Sequence, residues 1–559
     1  MKKYLALVLV VLLAATVVVP FSKTAAENVT TVKIYIGKPV AYVNGAEKSL
    51  DQPPVIMNNR TMVPIRFVTE AMGANVQWNA KDRTVTITLG KNIAILKIDS
   101  VKAQANGYDV YLDAAPTIIV KTSRTVVPVR FVAETLGMEV SWNGTERSVT
   151  IKYSPEWKPV RVSFWNAMNY KQGETLNALI KEFNATHPRI EIKGTSFSSY
   201  RPLQQKTIAA IAAGNPPVLT QAYENWVAQY ITGGYLIPME KFVNGPDGLL
   251  KKDREDFFSN MWKDGYLPDG KLWMLPFNKS NIVMYYNVDM LKKNGISAPP
   301  KTWDEFAQDC KILTKSDGSQ WGVSYTPSVD LWYGRVFEYG GQVLSNDYRK
   351  VVVDKTPNAE KPAALIAIEK FNDLVKNGEM HITTRYSYQT DFGNQKCAFV
   401  FASVASYYYI NKAVGGKFKF AEAPIPAGPA GQHSVMYGTN VVIFGTNSTA
   451  EQQMGAWKFV KWFTSPRQTA RWSVGSGYLP VRKSALKLPI LQNFLSEHPD
   501  LKAGYDQLSN CIVEPPISAW NPSRRDIAAE LQKIYLGKIS PEDGLKELAA
   551  KLRANIGEH

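Results

Sequence analysis

Three cysteines and five histidines among 559 residues leave several chemistries without material. Cys310, Cys397 and Cys511 are far apart and follow no CxxC or Cys/His spacing, so no metal-ligand motif is present. One disulfide with a leftover thiol and three buried thiols both fit that count. His187, His381, His433, His498 and His559 never pair at ligand spacing, so neither a metal nor a cofactor is expected. GxSxG and HExxH are missing, as is any Cys/His constellation, which leaves a nucleophilic or zinc hydrolase without its parts. No Lys/Arg-rich tract interleaved with aromatics occurs, so nucleic acid is not an expected partner. Beyond the first 26 residues no apolar run approaches the roughly 20 residues that a bilayer span needs.

What is present begins with residues 1–26, where Lys2 and Lys3 precede an apolar run over 4–19 and a small-residue site at Thr24-Ala25-Ala26. That pattern reads as a secretory signal peptide, and the product as secreted to the extracellular face of the envelope. The segment carries no cysteine, so retention through a lipidated Cys is not expected. The formal charge of +16 falls by three to +13 when Lys2, Lys3 and Lys23 leave with the signal. Such a basic chain is drawn to anionic surfaces such as cell-wall polymers.

A duplication follows. RTMVPIRFVTEAMG at 60–73 and RTVVPVRFVAETLG at 124–137 share one pattern. Each is followed by Trp-Asn (Trp78-Asn79, Trp142-Asn143), an Arg (Arg83, Arg147) and an alternating strand, and each is preceded by an Asn-Gly hairpin turn, Asn44-Gly45 or Asn106-Gly107. The repeats occupy about 33–90 and 91–153 within a domain of 27–153. After each proline a short helix is expected, stopped by Gly73 or Gly137, with strands wrapped on it so that each copy closes its own core. Arg66/Glu70 and Arg130/Glu134 stand at i,i+4, where a ligand clamp competes with a plain ion pair worth about 0.3–0.5 kcal/mol. The spacing favours the ion pair. The module resembles the copper amine oxidase N-terminal-like domain, a stalk found in bacterial envelope proteins. Amine oxidation is not implied: the repeats hold no histidine, and Asn169-Tyr170 is followed by Lys171 instead of an acid.

Beyond a Pro-punctuated linker at 154–159 the texture changes to strands alternating with amphipathic helices over 160–559. A strand over 160–165, a helix over 174–184 and a strand over 190–192 form a βαβ opening, which predicts a mainly parallel sheet. Roughly 400 residues exceed one core, so two lobes with a cleft are expected. The candidate ligand wall is LPFNKSNIVMYYN at 275–287, a polar loop bearing Asn278, Ser280 and Asn281 that runs into a buried strand. A short helix over 288–294 should stop at Gly295, and Thr302 with Glu305 reads as a capping box.

FWNAM (164–168), LIKEFNATHP (179–188), IAAGNPPVLTQAYE (211–224), PPKTWDEF (299–306), CAFVFAS (397–403), SGYLPVRKSAL (476–486) and YLGKISPEDGLKEL (535–548) occur in this order with the ligand wall. Together they resemble the family 1 extracellular solute-binding proteins of ABC importers, in particular the branch that binds sn-glycerol-3-phosphate and glycerophosphodiesters. The resemblance covers about 160–556. It implies an α/β, two-lobed periplasmic-binding-protein type II fold that closes on ligand by hinge bending, here preceded by the small α+β tandem-repeat domain.

The resemblance also carries site residues. Tyr200 and Glu224 match a tyrosine and a glutamate that hold a glycerol end, Ser280 and Ser403 match serines, Gly438 a glycine whose backbone can approach a phosphate, and Tyr478 a further tyrosine. Trp332 is the candidate aromatic platform for a sugar face or a choline cation. One departure stands out. Pro516 occupies the place of the arginine that holds the phosphate, while Arg524 and Arg525 fall at a helix start with Ser523 as N-cap.

The expected function is the substrate-binding component of an ABC importer. It would capture a sugar, oligosaccharide or glycerophosphodiester and deliver it to a membrane permease, with no enzymatic activity. Alternatives are a cell-wall structural or adhesion protein, and a secreted glycan hydrolase.

Overall fold

The structure, a computed structural model, describes residues 28–558; the expected signal peptide lies outside them. The chain divides near Lys158 and Pro159 into two compact units, the turn Ala105–Tyr108 excepted.

In the first unit the two copies are interleaved. One sheet runs Glu139–Asn143, Ser148–Tyr153, Thr30–Tyr35, Val40–Val43, Ala46–Ser49, and its counterpart runs Tyr108–Tyr111, Lys102–Ala105, Asn92–Lys97, Thr84–Leu89, Asn75–Asn79. Each sheet therefore takes two strands from the end of one copy and three from the start of the other. The alternating residues make the join: Val32 lies opposite Ile151 and Ile34 opposite Val149, all buried, just as Val85 faces Leu96 and Ile87 faces Ala94. Between the copies Val63 pairs with Val127, Met62 with Pro128 and Pro64 with Val126, a reciprocal register expected of a pseudo-twofold axis. The expectation that each copy closes its own core is thus corrected: one apolar cluster serves both. The expected short helices are present as Ile65–Ala71 and Val129–Thr135, followed by Gly73 and Gly137 at φ +82° and +81°. The Asn-Gly turns adopt left-handed backbone at both residues. Arg66–Glu70 (3.7 Å) and Arg130–Glu134 (3.9 Å) are loose helix ion pairs.

In the second unit one sheet is ordered Ile190–Ser196, Val160–Asn166, Leu219–Ala222, Asn440–Ile443, Leu275–Pro276. The first three strands are parallel and the last two antiparallel to their neighbours. The second sheet is ordered Met380–Ile382, Trp321–Tyr325, Cys397–Ser403, Ser280–Asn287, Phe420–Ala423, with Met436–Tyr437 added at the start of Ser280–Asn287. Its pairs are parallel up to Cys397–Ser403 and antiparallel beyond. Both sheets are mixed instead of mainly parallel, because strands that arrive by passage from the other lobe enter in the opposite direction.

Local signals around the ligand wall are realised. Asn287 caps helix Val288–Lys293 by accepting from the Met290 amide at 2.9 Å, and Gly295 follows at φ +77°. Thr302 accepts from the Glu305 amide at 3.2 Å while Glu305 accepts from the Thr302 amide at 3.3 Å, completing the capping box of helix Trp303–Leu313. Ser523 is not a cap: helix Trp520–Tyr535 starts three residues earlier, and the Ser523 hydroxyl donates back to the Ala519 carbonyl at 2.8 Å. All three cysteines are free and buried.

Three passages join the lobes. Phe277, Asn278 and Lys279 connect Leu275–Pro276 to Ser280–Asn287, Gly438 and Thr439 connect Met436–Tyr437 to Asn440–Ile443, and residues 499–519 lead to helix Trp520–Tyr535.

Candidate functional site

A cleft of about 550 Å³ opens beside the first two passages. From the first lobe Tyr200 enters at the start of helix Tyr200–Ala212, and Tyr223 at the N-cap of helix Glu224–Thr232. Tyr478 follows helix Pro466–Ser476 and stacks on Trp472 with ring centroids 5.7 Å apart, which fixes its position. The passages give Ser280 and Gly438, and the second lobe gives Ser403, Ser406, Tyr409 and Tyr437.

The floor is a hydrogen-bond web. The Tyr200 and Tyr478 hydroxyls lie 3.1 Å apart, and the Asn278 amide donates to the Tyr200 hydroxyl at 2.8 Å. Gln221 donates to Asn278 Oδ1 at 2.9 Å and to Thr439 Oγ1 at 3.1 Å, tying the first lobe to both passages. Burial raises the hydroxyl pKa of Tyr200 and Tyr478, so both remain neutral donors and acceptors.

Five of the seven expected residues, Tyr200, Ser280, Ser403, Gly438 and Tyr478, therefore line one cavity. Two do not. Glu224 does not face the cleft: its carboxylate accepts from Lys279 Nζ at 3.2 Å and from the Asn440 amide at 2.8 Å. Lys279 also pairs with Asp264 at 2.5 Å. Burial, then the Asp264 charge, push Glu224 up to about 8. For Lys279 burial acts downward, but the two carboxylates outweigh it and its pKa is raised. Trp332 is likewise no platform, being 1% exposed in the apolar core of the second lobe. Gly438 lies on the cavity wall, yet the close approach its missing side chain permits is to the Asn278 carbonyl.

Sequence reasoning missed Tyr223 and Tyr437, although each adjoins a residue it named, and Arg385, which no motif flags. Arg524 is not available to a ligand, because it donates to Asp330 at 2.8 Å and to Glu514. The cleft lining contains eight tyrosines and six serines but no carboxylate. Such a wall offers hydroxyls and ring faces to a polyhydroxylated molecule and offers no counter-charge to a cation. At the mouth, Tyr170 of the first lobe and Tyr409 of the second meet edge to face at 6.5 Å.

Two α/β lobes joined by three passages, with a polar cleft beside the crossing, define a binding protein of the hinge-closing class. The match to the family model described as bacterial extracellular solute-binding protein spans residues 178–503, and the chain belongs to that family. The copper amine oxidase N-terminal domain model matches residues 22–82 and 56–151. Among relatives, the sn-glycerol-3-phosphate-binding periplasmic protein UgpB of Escherichia coli K12 is 26% identical over 443 residues, which covers 75% of this chain and 95% of that protein. UgpB from Mycobacterium tuberculosis, solved in complex with glycerophosphocholine, superimposes with a TM-score of 0.61 at 20% identity, over 71% of this chain and 98% of that one. The cyclic alpha-maltosyl-1,6-maltose binding protein of Arthrobacter globiformis gives 0.62 at 18% identity, over 72% and 100%.

Proposed function

We propose that this protein captures a polyhydroxylated small molecule, a sugar, an oligosaccharide or a glycerophosphodiester, by lobe closure and hands it to the permease of an ABC importer. The observation that carries the ligand class is the cleft lining, rich in tyrosine and serine and without a carboxylate. The relative and the structural neighbour that bind glycerol phosphoesters, and the neighbour that binds a cyclic maltosyl sugar, support the same range. Its role is that of a binding protein, which the family match and the named roles of the relative and the structural neighbours support. The net charge of +13 that remains once Lys2, Lys3 and Lys23 leave with the signal supports residence at an anionic envelope surface, with the wall polymers as a second contact.

Thermal unfolding against a panel of maltotriose, glycerophosphocholine and glycerol-3-phosphate tests the reading. A true ligand raises the midpoint with concentration as RT ln(1 + [L]/Kd). A midpoint that no polyhydroxylated compound moves would remove the proposal.

A further inference from the structure

We propose that Arg385 is the anion subsite of this cleft, so that the captured solute carries one negative group on its polyhydroxylated body. This rests on the binding function proposed above and narrows its ligand class.

Arg385 is the one charged side chain in the cleft lining. It is exposed, and among the described residues its guanidinium has neither a hydrogen-bond partner nor a salt-bridge partner. Asp330, next in sequence to the cleft residue Leu331, holds Arg524 together with Glu514, and Asp391 holds His381 at 2.8 Å. A cleft that closes over an unpaired guanidinium must strip it of water, which is costly unless the ligand brings the opposite charge. One guanidinium balances one charge, and its planar fork suits the paired oxygens of a phosphodiester or a carboxylate.

Arg385 sits at φ +54°, as do Arg83 and, at +50°, Arg147 in turns of the first unit. The loop is held there by the Thr326 hydroxyl, which donates to the Arg385 carbonyl at 3.1 Å and lies 2.7 Å from the Thr383 hydroxyl. These hydroxyl contacts fix the backbone from which the Arg385 side chain enters the cleft lining. Arg524 is taken up by Asp330, so the charge that a ligand meets in this cleft is Arg385, in the loop before helix Ser387–Gly393.

Calorimetry on the full chain would compare glycerophosphoglycerol with neutral diglycerol, and a glucuronate-bearing disaccharide with its neutral glucose counterpart. Arg385→Gln and Arg385→Lys are measured alongside the unsubstituted protein, and melting curves confirm that each variant folds. The expected result is that at least one anionic compound binds about tenfold more tightly than its neutral partner at low salt, with the gap shrinking near ~0.15 M. Arg385→Gln should abolish that gap, read as the ratio of anionic to neutral affinity within the same variant, and Arg385→Lys should restore part of it. The pair showing the gap identifies phosphodiester or carboxylate. Equal binding of anionic and neutral partners, or a gap that survives Arg385→Gln, overturns the inference and leaves the binding function standing. Failure of every compound, neutral ones included, overturns both.

Discussion

A side chain on Gly438 would place its Cβ 1.8 Å from the carbonyl oxygen of Asn278, so two of the three passages between the lobes touch backbone to backbone. Gly438 also sits at φ +92°, a region that L side chains rarely occupy. The glycine keeps the two hinge segments in contact beside the cleft, and lobe motion must pivot through that contact. Gly438→Ala should therefore cost about 2–4 kcal/mol of stability and weaken binding, because Asn278, which positions the Tyr200 hydroxyl, would be displaced. Denaturant melts with a ligand titration check this; an alanine variant of unchanged stability contradicts the packing.

The Lys279, Glu224 and Asp264 cluster sets a pH dependence. One buried cation faces two carboxylates, and Glu224 is the acid whose pKa rises, from 4.5 to about 8. The folded state holds that proton more tightly than the unfolded state. The stabilisation is complete below pH 4.5 and is lost as pH rises through about 8. Glu224→Gln should match the unsubstituted protein near pH 5 and exceed its stability at pH 9. Lys279→Met leaves Asp264 without its cation and should cost about 3–5 kcal/mol. Urea melts across pH 5–9 measure both, and identical pH profiles for the unsubstituted protein and Glu224→Gln would contradict the assignment.

Trp332 governs stability and not ligand affinity. Its ring is buried in the second-lobe core, and truncation to alanine should destabilise by about 3–5 kcal/mol. Ligand affinity of the folded fraction should stay within twofold by calorimetry. A large affinity loss at unchanged stability would restore the ring to the cleft.

In the first unit the swap of strands between copies has its own consequence. Residues 28–90 alone lack the Ser148–Tyr153 partner of Thr30–Tyr35 and the Asn92–Lys97 partner of Thr84–Leu89. Such a fragment should be unfolded or self-associated in sedimentation, whereas residues 28–153 should fold alone as a monomer, since the cluster they share is closed. A folded monomer of 28–90 would contradict the interleaved topology.

These outcomes also show what the sequence could carry. The Thr302 capping box, the stop at Gly295 and the Asn-Gly turns were legible because the residues that make them lie within a few positions of one another. The strand exchange was not, since the two copies carry the same alternation and either can pair with either. Tyr200 and Tyr478 lie 278 residues apart, and only family resemblance brought them to one site. Trp332 misled because a tryptophan reads alike in sequence on a cleft wall and in a core, and nine of the ten residues of helix Val329–Glu338 are buried, the charged Asp330, Arg335 and Glu338 among them. Arg385 carries no local signal: a lone arginine in a loop reads as surface until the fold turns it to the cleft.

The central claim, capture by lobe closure, is tested most directly by small-angle X-ray scattering of the full chain with and without a saturating ligand from the calorimetric panel. The account predicts a smaller radius of gyration on binding, as Tyr200 and Tyr478 of one lobe approach Ser403 and Tyr409 of the other across bound solute. A scattering profile unchanged at full occupancy would contradict it.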